Sequence, residues 1–183
     1  MKSGYHHGDL CAALIGAGLQ LVAERSAEAL SLREIARMTG VSPTAVYRHF
    51  PDKAALTSAL AAEGLSRLAA AQHAAFDAAG GGSAGFAATG RAYVRFALEN
   101  PGLFRLIFSS PRGSNLLAGN AAPQDAATAF LLANAAEAAR KAGGKFAEVT
   151  ALQAWSTAHG LAMLMLDGQI PSEDALIEAT LSG

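Results

Sequence analysis

The segment from Ser31 to Lys53 constrains this chain more tightly than any other stretch. It reads as two short helices joined by a tight turn. Ser31 stands where the first helix would be capped, and Glu34, three residues on, is placed to reach back and close a capping box. Ile35 and Ala36 face inward, and Ala36 is small where two crossing helices must approach. Gly40 ends the helix, because the turn there needs a positive φ that glycine adopts cheaply. Val41 fills the corner, Ser42 caps the next helix, and Pro43 takes its first position, where a missing N–H costs nothing. Val46 and Phe50 point to the core, which leaves Thr44, Ala45, Tyr47, Arg48 and His49 looking outward. Two such helices, the second free of acidic side chains, have the physical form of a helix-turn-helix reader of DNA.

Composition bounds the rest. The chain has 183 residues, enough for one or two small domains with a real core. About a quarter of the residues are alanine, the strongest helix former, and no stretch alternates apolar and polar residues as a half-buried strand does. The expected class is all-α. The formal net charge is −1, so bulk charge gives no support for nucleic-acid binding. Residues 1–55 hold six Lys/Arg against five acids, and the remainder eight against ten, so the head is weakly basic and the body mildly acidic. Cys11 is the single cysteine and excludes an internal disulfide, which suits a reducing compartment. The polar first ten residues do not read as a signal peptide, and the apolar run Leu161–Leu166 is far too short to span a bilayer. A cytoplasmic protein with no membrane partner is expected.

Nine helices are expected in order: about Asp9 to Arg25, Leu32 to Thr39, Pro43 to Phe50, Lys53 to Ala78 behind an Asp52 cap, Gly85 to Glu99, Leu103 to Ser109, Gln124 to Ala142, Phe146 to Asp167, and Ser172 to Leu181. Gly80-Gly81-Gly82-Ser83 breaks the chain between the fourth and fifth, and residues 112–123 read as a loop.

At this point the sequence resembles a known family. Val46-Tyr47-Arg48-His49-Phe50 followed by Asp52-Lys53, with Tyr5-His6-His7-Gly8-Asp9-Leu10 upstream, looks like the DNA-binding region of the tetracycline-repressor (TetR) family of bacterial transcription regulators. Trp155-Ser156-Thr157-Ala158-His159-Gly160 resembles the tryptophan-x-x-x-histidine-glycine signature of one subfamily, and Leu103-Phe104-Arg105-Leu106-Ile107-Phe108 is similar to a segment of the same group. The resemblance implies a helix-turn-helix DNA-binding domain at residues 1–55 and a ligand-binding and dimerisation domain at residues 56–183.

DNA recognition needs phosphate contacts for position and base-edge contacts for sequence. Tyr47, His49 and Lys53 carry a hydroxyl, an imidazole N–H and an ammonium suited to phosphate oxygens, and the resemblance places phosphate contacts at these positions. Thr44 and Ala45 are small enough to approach base edges and a thymine methyl. Arg33 matches a position where family members set an arginine against guanine, and Arg48 faces bases or backbone. Ser31 and Ser42, at the two helix starts, complete the DNA-facing set. Each has a plainer alternative: Tyr47 as a core-edge aromatic, Lys53 as a solvated charge, Arg33 as a surface helix residue. His6, His7 and Asp9 do not make a convincing metal site, and no cofactor or catalytic residue is expected.

A head this small covers one half-site, which implies a homodimer on a palindromic operator. The expected interface uses Leu152, Met163, Leu166, Leu176, Ile177 and Leu181, although the same residues could fill the subunit's own core. A small-molecule inducer of unknown identity is expected in the body. Candidate lining residues are Phe86, Tyr93, Phe96, Phe104, Phe108, Phe130, Trp155 and His159, with Arg91, Arg95 and Arg105 as anchors for an anion; plain core is the alternative for each. Two other classes stay on the table. An enzyme on a helical scaffold lacks a nucleophile–base pair, paired inward carboxylates or a phosphate-cradling glycine loop. A helical interaction module without DNA binding would have no reason to keep the caps, Tyr47 and Lys53.

Overall fold

The structure is a computed structural model that describes residues 7–25, 27–109, 126–141 and 147–182. Among the described residues there are nine α-helices and no strand. They are α1 (His7–Glu24), α2 (Leu32–Thr39), α3 (Pro43–His49), α4 (Lys53–Ala78), α5 (Gly82–Glu99), α6 (Pro101–Ser109), α7 (Ala126–Lys141), α8 (Ala147–Leu166) and α9 (Asp174–Leu181). A short 3-10 turn at Ala27–Ala29, which the sequence does not announce, joins α1 to α2. The all-α expectation holds. The expected 112–123 loop, Tyr5, His6 and Phe146 lie outside the described residues.

The chain forms two compact units, each with its own packing. The first comprises the described residues of Met1–Gly64 together with those of Gly102–Pro111, so that α6 joins the N-terminal helices despite its distance in sequence. Its core is Leu14, Leu21, Ile35, Val46, Leu56, Leu60, Phe104, Leu106 and Ile107, all 1 % exposed or less. Close approach is built in at Gly102, where an added Cβ would lie 2.4 Å from the carbonyl oxygen of Val22. Only glycine lets α6 come this near to α1.

The second unit holds the described residues of Leu65–Pro101 and Arg112–Gly183. Here α5 is central and packs on α7, α8 and α9, while α7 pairs with α8. Buried Ala135 and Ala139 on α7 and Ala151, Ala158 and Ala162 on α8 keep these helices close. Alanine thus serves helix propensity and close packing together.

Several local expectations need correction. Ser31 does sit at the N-cap of α2 in extended backbone, but its side chain makes no capping hydrogen bond. The capping box does not form, because Glu34 instead accepts from Arg37 Nε at 3.0 Å and Nη2 at 2.7 Å. That hydrogen-bonded pairing lowers the Glu34 pKa and raises that of Arg37. The α5 helix begins at Gly82 rather than Gly85, after a turn in which Gly80, Gly81 and Gly82 all take positive φ. Pro101 opens α6 instead of merely stopping α5, as suits a residue with no N–H to leave unpaired.

Candidate nucleic-acid interface and effector-binding body

The reader helix α3 is built as the local chemistry requires. Ser42 Oγ accepts from the backbone N–H of Ala45 at 3.2 Å, and Pro43 occupies the first turn. Gly40 takes φ 70°, ψ 23° and closes α2 with N–H bonds to the carbonyls of Ala36 and Arg37. Val46 is 0 % and Phe50 6 % exposed, so two apolar anchors fix the helix from below. The opposite face carries exposed Thr44, Tyr47 and Arg48 with half-buried Ala45 and His49. Tyr47 is 46 % exposed, one of the few large hydrophobic side chains so presented among the described residues. There is no acidic residue in the first turn, and Arg48 and His49 occupy the last.

Arg33 on α2 is exposed, and the Glu34 carboxylate is committed to Arg37 rather than to it. Lys53 does more than the sequence suggests: its Nζ donates to the carbonyl oxygen of Glu28 at 2.9 Å, tying the start of α4 to the 3-10 turn. Beside it, Asp52 Oδ1 accepts the Ala55 N–H at 2.8 Å, the expected cap.

In the second unit, three of the expected effector-site residues meet. Trp155 Nε1 donates to the Tyr93 hydroxyl at 3.2 Å, and that hydroxyl lies 2.8 Å from His159 Nδ1. Indole is only a donor, so a neutral His159 accepting at Nδ1 from Tyr93 completes the chain. Burial keeps His159 below its ordinary pKa, in favour of that neutral form. Phe130 is instead stacked on His73, with centroids 3.8 Å apart, and sits edge-on to Phe76 at 5.4 Å. Phe104 and Phe108 pack on each other at 4.8 Å in the first unit, so the expected aromatic set is divided between the two.

A cleft of about 480 Å³ opens in the second unit between α4, α5 and α9. Of the expected effector-site residues, Phe96 takes part together with two of the three expected anion anchors, Arg91 and Arg95. Its walls are mainly Ala71, Ala75 and Ala78 of α4 and Ala88 and Ala92 of α5, with Arg91, Arg95 and Glu99 of α5 and Glu178 of α9. Arg95 Nε donates to Asp174 at 3.1 Å and its Nη2 to Glu178 at 2.8 Å, while Arg91 Nε lies 3.2 Å from Glu178. The hydrogen bond that Arg95 donates to Asp174 is the main cause of the raised Arg95 pKa. Sequence reasoning named Phe96, Arg91 and Arg95 but not the cleft they share, whose further signal was alanine recurring every three or four residues on two successive helices. Arg105 is exposed and belongs to the first unit, whereas Arg91 and Arg95 belong to the second.

Of the expected interface residues, Leu152 is 40 % exposed, and Met163, Leu166, Leu176 and Leu181 are half-buried. Ile177 is 1 % exposed and has no area left to cover, so its assignment to an interface is corrected to the subunit's own core. Val149 and Leu164, at 48 % and 47 %, are further exposed apolar residues on α8. No helix among the described residues is long and apolar enough to cross a membrane.

A capped helix-turn-helix head followed by a helical body defines a DNA-binding regulator of the two-part kind. Residues 14–60 match the family described as bacterial regulatory proteins, tetR family, and residues 86–182 match the tetracyclin repressor-like C-terminal domain. The chain belongs to the TetR family and is a transcriptional regulator. Among solved structures, a protein of unknown function from Rhodococcus sp. RHA1 is 33 % identical over 99 % of this chain and 94 % of its own, with a TM-score of 0.77. A protein assigned as a transcriptional regulator from Pseudomonas aeruginosa PAO1 is 18 % identical over 98 % and 92 %, with a TM-score of 0.69. The fold is also shared with a TetR variant from Acinetobacter baumannii AYE in complex with minocycline, at 18 % identity, 97 % and 90 % coverage and a TM-score of 0.57.

Proposed function

We propose that this regulator is a repressor that binds a palindromic operator as a homodimer and is released by a small molecule. The observation that carries the reading is the outer face of α3, where Thr44, Tyr47 and Arg48 are exposed while Val46 and Phe50 anchor the helix beneath. Residues 1–55 form the DNA-binding domain and residues 56–183 the ligand-binding and dimerisation domain. Tyr47, His49 and Lys53 contact phosphates; Thr44, Ala45 and Arg33 read bases; Arg48 contributes to either; Ser31 and Ser42 start the two helices that carry them.

A second copy covers the apolar residues that α8 exposes, with Leu152, Met163 and Leu166 joined by Leu176 and Leu181 of α9. Val149 and Leu164 support this reading, since large exposed apolar side chains on one helix commonly mark an interface. The inducer enters the body, a reading supported by the minocycline complex of the related fold. Inducer acts through its preference for the form that does not bind DNA. The protein acts in the cytoplasm, carries no cofactor and has no catalytic role.

Footprinting of the purified full chain on the DNA flanking its own gene tests the proposal. A protected palindrome is expected; absence of any protected site overturns it. Sedimentation as a monomer at micromolar concentration would remove the dimer.

A further inference from the structure

We infer that the cleft between α4, α5 and α9 binds a monocarboxylate with an apolar body, and that the ligand carboxylate replaces the side chain of Glu178 on Arg91 and Arg95. The inference deepens the proposed release by a small molecule and rests on that reading for its regulatory meaning. A volume of about 480 Å³ lies within the range of small-molecule sites. One wall is apolar, made by Ala71, Ala75 and Ala78 of α4 with Ala88, Ala92 and Phe96 of α5. The other carries two guanidiniums one helical turn apart, together with the carboxylates of Glu99 and Glu178.

Glu178 already shows what those guanidiniums hold. Its carboxylate lies between them, 3.2 Å from Arg91 Nε and 2.8 Å from Arg95 Nη2. The Glu178 side chain is 48 % exposed, so swinging into water costs it little. Arg91, by contrast, is only 19 % exposed at its side chain and cannot be hydrated as freely. Each guanidinium also keeps donors in reserve. Arg91 uses Nε on Glu178 and Nη1 on the Leu181 carbonyl at 3.3 Å; Arg95 uses Nε and Nη2. Among the described residues, Arg91 Nη2 and Arg95 Nη1 have no acceptor, so each guanidinium can add a hydrogen bond to an incoming carboxylate. A ligand seated there takes one of the two acids that clasp α9 to α5 and leaves Asp174 as the other.

Isothermal titration of the full chain without DNA, using decanoate and 1-decanol below their aggregation limits, tests this. Decanoate is expected to bind tenfold or more tightly than decanol. Glu178→Gln should tighten decanoate several-fold without changing decanol, because the competing charge is gone. Arg91→Met with Arg95→Met should abolish the preference while decanol binding persists. If that double variant fails to fold, Ala75→Phe, which fills the apolar wall, should remove both ligands. Equal binding of the two probes, no binding of either, or no response to Glu178→Gln overturns the inference. Operator footprinting is independent of this titration, so loss of the repressor reading and loss of the carboxylate site are separately visible.

Discussion

Lys53 Nζ and the carbonyl oxygen of Glu28 are joined by a 2.9 Å hydrogen bond, so a residue assigned to phosphate also braces the turn ahead of the first reader helix. The two roles separate in one variant. Lys53→Met should lower stability by about 1 kcal/mol or less, the usual net worth of such a bond. If the ammonium also meets DNA, the slope of log K against log salt should fall by about 1. Thermal melting and salt titration of operator binding read the two effects; an unchanged slope would leave Lys53 as a brace alone.

Tyr47 and Arg33 should fail differently. Tyr47→Phe removes a hydroxyl from an exposed ring and is expected to weaken operator and unrelated DNA alike, by several-fold. Arg33→Ala should instead cost about 1–3 kcal/mol at one base pair and relax preference there. Binding-site selection on randomised operators distinguishes them, and the reverse pattern would exchange their roles.

Two glycines predict unequal penalties. Gly40→Ala places a side chain at φ 70° with no neighbour within 4 Å, so it pays only the left-handed backbone cost of about 1 kcal/mol. Gly102→Ala drives a methyl to 2.4 Å from the Val22 carbonyl, where backbone must move, and about 2 kcal/mol or more is expected. Denaturant unfolding of the two variants ranks them.

The Tyr93–His159–Trp155 chain makes a pH prediction. Folding lowers the His159 pKa from its ordinary 6.5. Below pH 6.5 the unfolded chain therefore takes up a proton that the folded chain refuses, and stability falls with acidity. Above about pH 7 this contribution should be fully present. Melting temperature against pH should show a loss as the pH falls below 6.5 that His159→Asn lacks. Tyr93→Phe should destabilise by about 1–2 kcal/mol, since it strands the buried-side partners of its hydroxyl.

Local chemistry was legible in the sequence where its partners are near in sequence. Gly40, Ser42, Pro43 and Asp52 each act within four residues, and their predicted roles agree with the geometry. Ser31 shows the limit of that logic: a capping box and an ion pair compete for Glu34, and Arg37 holds it with two hydrogen bonds. Long-range pairings were invisible. Nothing in periodicity brings Arg95 to Asp174 and Glu178, or Lys53 to the Glu28 carbonyl. The aromatic residues misled for a related reason. Their size marks them as packing material, but a cavity lies where side chains stop short, and here alanines define it. The footprint on DNA and the dimer surface depend on contacts with other molecules, which no periodicity within one chain encodes.

The brevity of α3 has a practical consequence. Seven residues make fewer than two turns, well below the length at which a peptide pays for its own nucleation. Excised from Val46 and Phe50's burial site, the segment would be a random coil, and synthetic mimics of it would need a covalent staple to recognise any promoter. Specificity can therefore be re-engineered only by exchanging outward side chains on the intact head, never by transplanting the rod alone.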